Sequence, residues 1–95
     1  MEPTIEWDPQ KELSNQKKHG VSFSEAVTAL EDEQALTVED ELQDERRFIS
    51  VGLGETGRVL VVVYTYRRAS IRIISARKAT TAERRAYEEQ NHARK

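Results

Sequence analysis

A change of hydrophobic period along the chain predicts an α+β fold. Up to residue 30 apolar residues recur at helical spacing; from Arg46 to Arg77 they alternate or run continuously, as strands do; from Thr80 helical spacing returns. Ninety-five residues are too few for two independent cores, so one domain over residues 1–95 is expected.

The elements follow in order. Thr4-Ile5-Glu6-Trp7 reads as a short strand, and Asp8-Pro9 opens a helix. Asp8 can accept backbone N–H bonds as N-cap, and Pro9 gives up a donor that has no partner in the first turn. That helix is predicted to run to His19, with Gly20 as its left-handed stop and Lys17, Lys18 and His19 on the negative end of its dipole. Leu13 is its one strong hydrophobe, so most of it should face solvent. Ser22 to Glu25 has capping-box spacing, with Val21 and Ala26 placed as a hydrophobic staple. Phe23, Ala26, Val27 and Leu30 then fall on one face of a second helix.

A strand is expected at about 35–39, followed by another in which Arg47, Ile49, Val51 and Leu53 alternate with Phe48, Ser50 and Gly52. Gly54-Glu55-Thr56-Gly57 signals a hairpin loop, and Val59 to Tyr64 is apolar on both faces, the mark of a central strand. The chain turns again at Arg67-Arg68-Ala69-Ser70, and Ile71 to Arg77 forms the next strand. Thr80 has capping-box spacing to Glu83 and opens a last helix, with Ala82, Ala86 and Tyr87 as a thin apolar stripe and fraying expected from residue 91. The architecture predicted is a short N-terminal strand, two helices, an antiparallel sheet of about four strands and a C-terminal helix, the helices sharing one sheet face.

Composition excludes several classes of protein. Without cysteine there is neither a disulfide framework nor a zinc–thiolate site, which fits a cytoplasmic location. No apolar run approaches the length of about 18 residues that a membrane span needs, and Met1-Glu2-Pro3-Thr4 lacks the basic and apolar regions of a signal peptide. A net charge of −2 argues against a generic nucleic-acid binder, but the charge is divided. Residues 1–66 carry 14 acidic and 6 basic side chains; residues 67–95 carry 3 acidic and 9 basic. The C-terminal third is therefore expected to face an anion. Eight carboxylates crowd residues 31–45; solvated turns explain them more simply than a metal site at Glu31, Asp32, Glu33, Glu39, Asp40 and Glu41 would.

There is no phosphate-binding loop, no dinucleotide fingerprint, no HExxH and no GxSxG. With only His19 and His92, and His92 in the terminal tail, a two-histidine ribonuclease mechanism is disfavoured. What stands out is the set of cations around the last hairpin: Arg67, Arg68, Arg72, Arg77 and Lys78. Cleavage of RNA by its own 2′-hydroxyl requires alignment, stabilisation of added negative charge and proton transfer. Arginine suits the second task, because its fork grips phosphate oxygens and stays charged, and no metal is then needed. The structural alternative is that Arg72 and Arg77 pair ions at a sheet edge and that His19 complements a helix dipole. Register decides which arginines meet. A two-residue turn pairs Arg67 with Ser70 and puts Arg72 on Arg67's face; a turn one residue longer aligns Arg67 with Arg77.

Ile5-Glu6-Trp7-Asp8, Lys11, Asn15, Lys18-His19-Gly20-Val21 and Phe23 resemble the opening of the BrnT toxin family. Asp44-Glu45-Arg46-Arg47, Val63-Tyr64-Thr65, Arg72 to Thr80, and Glu83, Arg84 and Tyr87 resemble its second half, so the likeness spans roughly residues 4–90. The resemblance implies a RelE-like fold and a metal-independent ribonuclease, without cofactor, that arrests translation. It also implies a BrnA-like ribbon-helix-helix antitoxin whose complex with the toxin binds promoter DNA. By position it makes Arg77, Lys78 and Arg67 site candidates, with Arg72 and His19 below them. Two other readings are a RelE-like interaction module with little catalysis, acting as antitoxin partner and co-repressor, and an autonomous DNA-binding regulator. The last is disfavoured, since no helix-turn-helix or basic recognition helix is visible.

Overall fold

The computed structural model describes residues 4–40 and 46–93. In chain order the elements are β1 (Thr4–Glu6), α1 (Pro9–His19), α2 (Phe23–Leu30), β2 (Leu36–Asp40), β3 (Arg47–Leu53), β4 (Val59–Arg67), β5 (Ser70–Lys78) and α3 (Thr81–Ala93). They build one five-stranded sheet in the order β1-β5-β4-β3-β2. β2 to β5 form the antiparallel run expected, and β1 joins the far edge parallel to β5, pairing Ile5 with Ile71. α3 continues past residue 91, where fraying is expected, to Ala93; residues 94 and 95, and Glu41, Asp44 and Glu45 of the acidic run, lie outside the described residues.

The helix ends follow the local signals. Asp8 accepts from the Gln10 N–H, Ser22 accepts from the Glu25 N–H, and Gly20 adopts φ 69°, a left-handed stop. Thr80 and Glu83 form the complete reciprocal box, each side chain accepting the other's backbone N–H. The box at Ser22 is only half closed, because the Glu25 carboxylate turns inward to Arg58 and Thr56 instead. That ion pair ties the β3–β4 hairpin to the start of α2. Both partners' shifts agree: hydrogen bonding from Arg58 outweighs burial and holds the Glu25 carboxyl below its ordinary value.

The core lies between α2 and the sheet: Val21, Phe23, Ala26 and Ala29 pack on Leu60, Val62, Tyr64, Ile73 and Ala76, with Trp7 edge-on to Phe23. In β3 the better-buried face is that of Ser50 and Gly52, while Leu53 is 45% exposed. The reason is proximity: a Cβ on Gly52 would stand 2.3 Å from the Ala29 carbonyl oxygen, so only glycine admits the α2 backbone there. Ser50 is satisfied within this layer by Thr37 and the Tyr64 hydroxyl.

The expectation that all helices share one face is corrected. Ala76 belongs to the α2 layer; Arg77, next along the strand, points to the opposite face and reaches Glu83 of α3. Val59 and Val61, which alternate with Leu60 and Val62, are buried on that second face. Two helices therefore lie on one side and at the edge, and α3 lies on the other. Its apolar stripe is thin: Tyr87 is buried, but Ala82 and Ala86 are exposed. Polar contacts complete the docking, since the Tyr87 hydroxyl donates to Asp32, which also accepts from the Leu53 N–H. Burial and Asp32 push the Tyr87 hydroxyl up to about 12.

α1 is solvent-facing as expected, with Leu13 62% exposed, and its anchor is polar. β1 ends opposite Arg72 and leaves the rest of the β5 edge without a strand. Asn15, buried on α1, fills that role: its amide accepts from the Ala76 N–H at 3.1 Å and donates to the Ala76 carbonyl at 2.8 Å and the Val21 carbonyl at 2.9 Å. A side-chain amide thus imitates a neighbouring peptide and closes an edge that would otherwise be open.

Candidate functional site

The β4–β5 hairpin has the two-residue turn: Arg67 pairs with Ser70, and Thr65 with Arg72. Arg68 sits in the turn at φ 57°. In a regular strand Arg72 and Arg77, five residues apart, would point to opposite faces. A bulge intervenes. Val63 pairs with Ser75 and Tyr64 with Ile73, so Ile74 is the extra residue. The strand changes phase there, and Arg77 comes opposite Val61 on the same face as Thr65 and Arg67. Arg67, Arg72 and Arg77 therefore share one sheet face, which neither turn length alone would have achieved. Arg67 and Arg72 are diagonal neighbours, about 7–8 Å apart at their Cα atoms. Arg77 lies four rungs farther along, about 13 Å.

Each arginine on this face has company. Arg72 lies 3.7 Å from Glu6 on β1. Arg77 makes a bidentate pair with Glu83 of α3, both contacts at 2.8 Å. Hydrogen bonding from Arg77, against an opposing contribution from burial, pulls the Glu83 carboxyl down to about 2. Arg67 is exposed at the strand end and is not without contacts. Lys78, opposite Leu60, belongs by parity to the other face, so the candidates do not all converge.

His19 stands apart from the arginines, half-buried at the end of α1. It lines an open groove of about 230 Å³ between α1 and the β5 bulge, together with Lys11, Ser14, Asn15, Lys18, Ile74 and Ser75. Ser75 connects the two regions: it lines the groove, and it lies between Arg72 and Arg77 on the arginine face. Sequence reading at single residues missed Lys11, Lys18 and Ser75. The available signal was the spacing of 11, 14–15 and 18, one face of α1. A second concavity, lined by Arg46, Phe48, Thr65 and Tyr66, carries the aromatic cluster of Phe48, Tyr64 and Tyr66.

Two residues of the acidic stretch, Asp32 and Glu39, have structural partners. Asp32 accepts from Leu53, Gln34 and Tyr87, and Glu39 pairs with Arg46. Among the described residues, no three histidines or carboxylates converge as metal ligands would. No helix among them is long and apolar enough to cross a membrane.

The family model for the ribonuclease toxin BrnT of type II toxin–antitoxin systems matches residues 7–83, which include the whole groove, the bulge and the three arginines. The chain belongs to this family. The 1.1 Å crystal structure of the Brucella abortus ribonuclease toxin, BrnT, resembles it with a TM-score of 0.67 over 83% of this chain and 99% of that one. At 22% identity that likeness shows a common fold. No curated protein sequence matches the chain.

Proposed function

We propose that the protein is a metal-independent endoribonuclease that arrests translation by cutting RNA across the sheet face of Arg67, Arg72 and Arg77. The phase change at Ile74 carries this reading, because it gathers on one surface the cations that the reaction can use. When the 2′-hydroxyl attacks the adjacent phosphorus, two negative charges develop on the equatorial oxygens. Guanidinium forks fixed on a rigid strand stabilise that charge without reorganising. Arg77 is pre-aimed by Glu83, Arg72 by Glu6, and RNA phosphate would draw each fork from its carboxylate. His19 is the candidate for moving a proton, since imidazole can both accept and donate one. Lys78, on the reverse face, is left a supporting charge at the strand end.

A second reading has one observation in its favour. The Arg77–Glu83 pair by itself explains why Arg77 is there, as a pin for α3. On that reading the chain is an interaction module with little catalysis. Two variants separate them. Arg77→Ala removes both fork and pin, whereas Glu83→Gln removes the pin and leaves the fork. If Arg77 acts on RNA, Arg77→Ala should slow cleavage by about 10²–10³ and Glu83→Gln should retain most of it. Equal losses in both variants would make Arg77 a structural residue only.

A BrnA-like ribbon-helix-helix antitoxin is the proposed partner, with acidic residues meeting the basic C-terminal third and apolar anchors supplying most of the affinity. The complex, and not this chain alone, would then bind promoter DNA. Pull-down and gel shift with each component separately and together test that division. Specific promoter binding by this chain alone would refute it.

A further inference from the structure

We infer that the groove between α1 and the β5 bulge binds the sugar–phosphate backbone of single-stranded RNA, with Lys11 and Lys18 each holding a phosphate. The inference rests on the ribonuclease reading above and names the part of the surface that grips the strand beside the arginine face.

The first ground is the distribution of unpaired charge. Arg46, Arg58, Arg72 and Arg77 all have carboxylate partners. Among the described residues Lys11, Lys18 and His19 have none; Lys17, Arg68, Lys78, Arg84 and Arg85 have none either, but they lie outside the groove, whereas Lys11, Lys18 and His19 line one concavity. Glu12, their nearest acidic neighbour in sequence, is turned to the Phe23 N–H instead. The second ground is the helix dipole. Lys18 and His19 lie at the C-terminal end of α1, where a cation is stabilising whatever its function. Lys11 lies in the first turn, where the helix end is positive and a cation is disfavoured. The helix dipole does not account for a lysine at that position; an anion in the groove would give it a partner.

The third ground is shape. Lys11 and Lys18 are two helical turns apart, about 10 Å along the axis, on one face with Ser14 between them. A line of separated cations with hydroxyls interspersed suits a polyanion better than a single phosphate. Ser75 brings the line to the sheet face between Arg72 and Arg77, so a strand lying along α1 is delivered to the arginines.

A short RNA with 2′-O-methyl riboses, which cannot be cut, tests this by titration at several salt concentrations. For single strands each phosphate contact adds about 0.7 to the slope of log affinity against log salt. Lys11→Ala with Lys18→Ala should therefore lower the slope by about 1.4, with affinity about 25-fold weaker at 0.1 M salt relative to 1 M. Lys17→Ala, on the same helix but outside the groove, should leave both nearly unchanged. With a cleavable RNA the double variant should raise KM and spare kcat. An unchanged slope in the double variant, with RNA still bound by the parent, overturns the assignment; so does an equal loss from Lys17→Ala, which would reduce the effect to net charge. RNA binding preserved while a poly-glutamate peptide is lost would give the groove to a protein partner and also overturn it. Failure of the unmutated protein to bind RNA at all would remove the ribonuclease reading itself, a result distinct from all of these.

Discussion

Replacing Asn15 by leucine should cost more stability than its place on an exposed helix suggests. The side chain satisfies three backbone groups, the Ala76 N–H, the Ala76 carbonyl and the Val21 carbonyl, at 2.8–3.1 Å. Leucine keeps the same branched heavy-atom skeleton, though its methyls are bulkier than the amide, and leaves all three buried without partners. Each such group costs about 1–3 kcal/mol, so a loss of about 3–6 kcal/mol is expected after partial relaxation. A domain of this size has about 5–14 kcal/mol in total. Urea unfolding reads the change directly: with a slope of about 1 kcal/mol per molar, the midpoint should fall by about 3 M or more. Hydrogen exchange localises it, since the Ala76 amide should lose its protection first. Asn15→Asp separates hydrogen bonding from packing. It keeps the acceptor for the Ala76 N–H but turns a carboxylate toward two carbonyl oxygens, and it should be comparably damaging despite its equal size. A midpoint shift below about 0.5 M with Ala76 still protected would show that the β5 edge is held by something other than Asn15.

Three further outcomes are expected. Gly52→Ala should destabilise by at least about 1–3 kcal/mol, read by thermal or urea unfolding, because its methyl would meet the Ala29 carbonyl at 2.3 Å and β3 and α2 would have to separate. The Glu83 carboxyl, lowered from 4.5 to about 2, contributes stability that is fully present above pH 4.5 and lost as pH falls toward 2. The full shift corresponds to about 3 kcal/mol, but both side chains of the pair are about a third exposed or more, so about 1 kcal/mol is expected after screening; the gap in urea midpoint between the parent and Glu83→Gln should close between pH 5 and pH 2.5. Cleavage should survive EDTA if guanidinium groups carry the charge stabilisation, and loss with EDTA that added Mg²⁺ restores would return attention to the acidic run.

Period and punctuation made most of the fold legible. Asp8-Pro9, Gly20, Ser22 and Thr80 mark helix ends through their own side chains or backbone, which is local chemistry and so visible in sequence. The side of the sheet on which α3 lies was not legible. Its docking depends on Tyr87 reaching Asp32 and Glu83 reaching Arg77, contacts between distant or oppositely phased residues that no periodicity encodes. Which face of β3 is buried was not legible for a related reason. Its apolar residues alternate cleanly, yet the α2-facing positions hold Ser50 and Gly52, because the helix backbone comes too close for larger side chains. At the site, the residue types around Arg67, Arg72 and Arg77 could be read but their common face could not, since an extra residue in a strand has no sequence signature of its own. The lysines of α1 acquire meaning only when the β5 edge is set beside them.

The extra residue in β5 makes the bulge itself, more than the side chain that stands in it, the device that sets the phase of the strand. Nine residues span the stretch that eight cover on β4. Many side chains could stand at Ile74 without altering the phase on either side of it. Drawing Ile74 into the regular ladder would instead rotate everything downstream by half a period, driving the Arg77 guanidinium beneath α2 where Ala76 now packs and turning Ala76 out toward α3. The same slip would displace the backbone groups that Asn15 grips, freeing α1 from the sheet. Point changes at this position should therefore drift freely, and even its deletion would leave Ser75 to Lys78 opposite their present partners on β4, whereas a slip that took Ile74 into the ladder would be felt at once in the core, the edge and the basic surface.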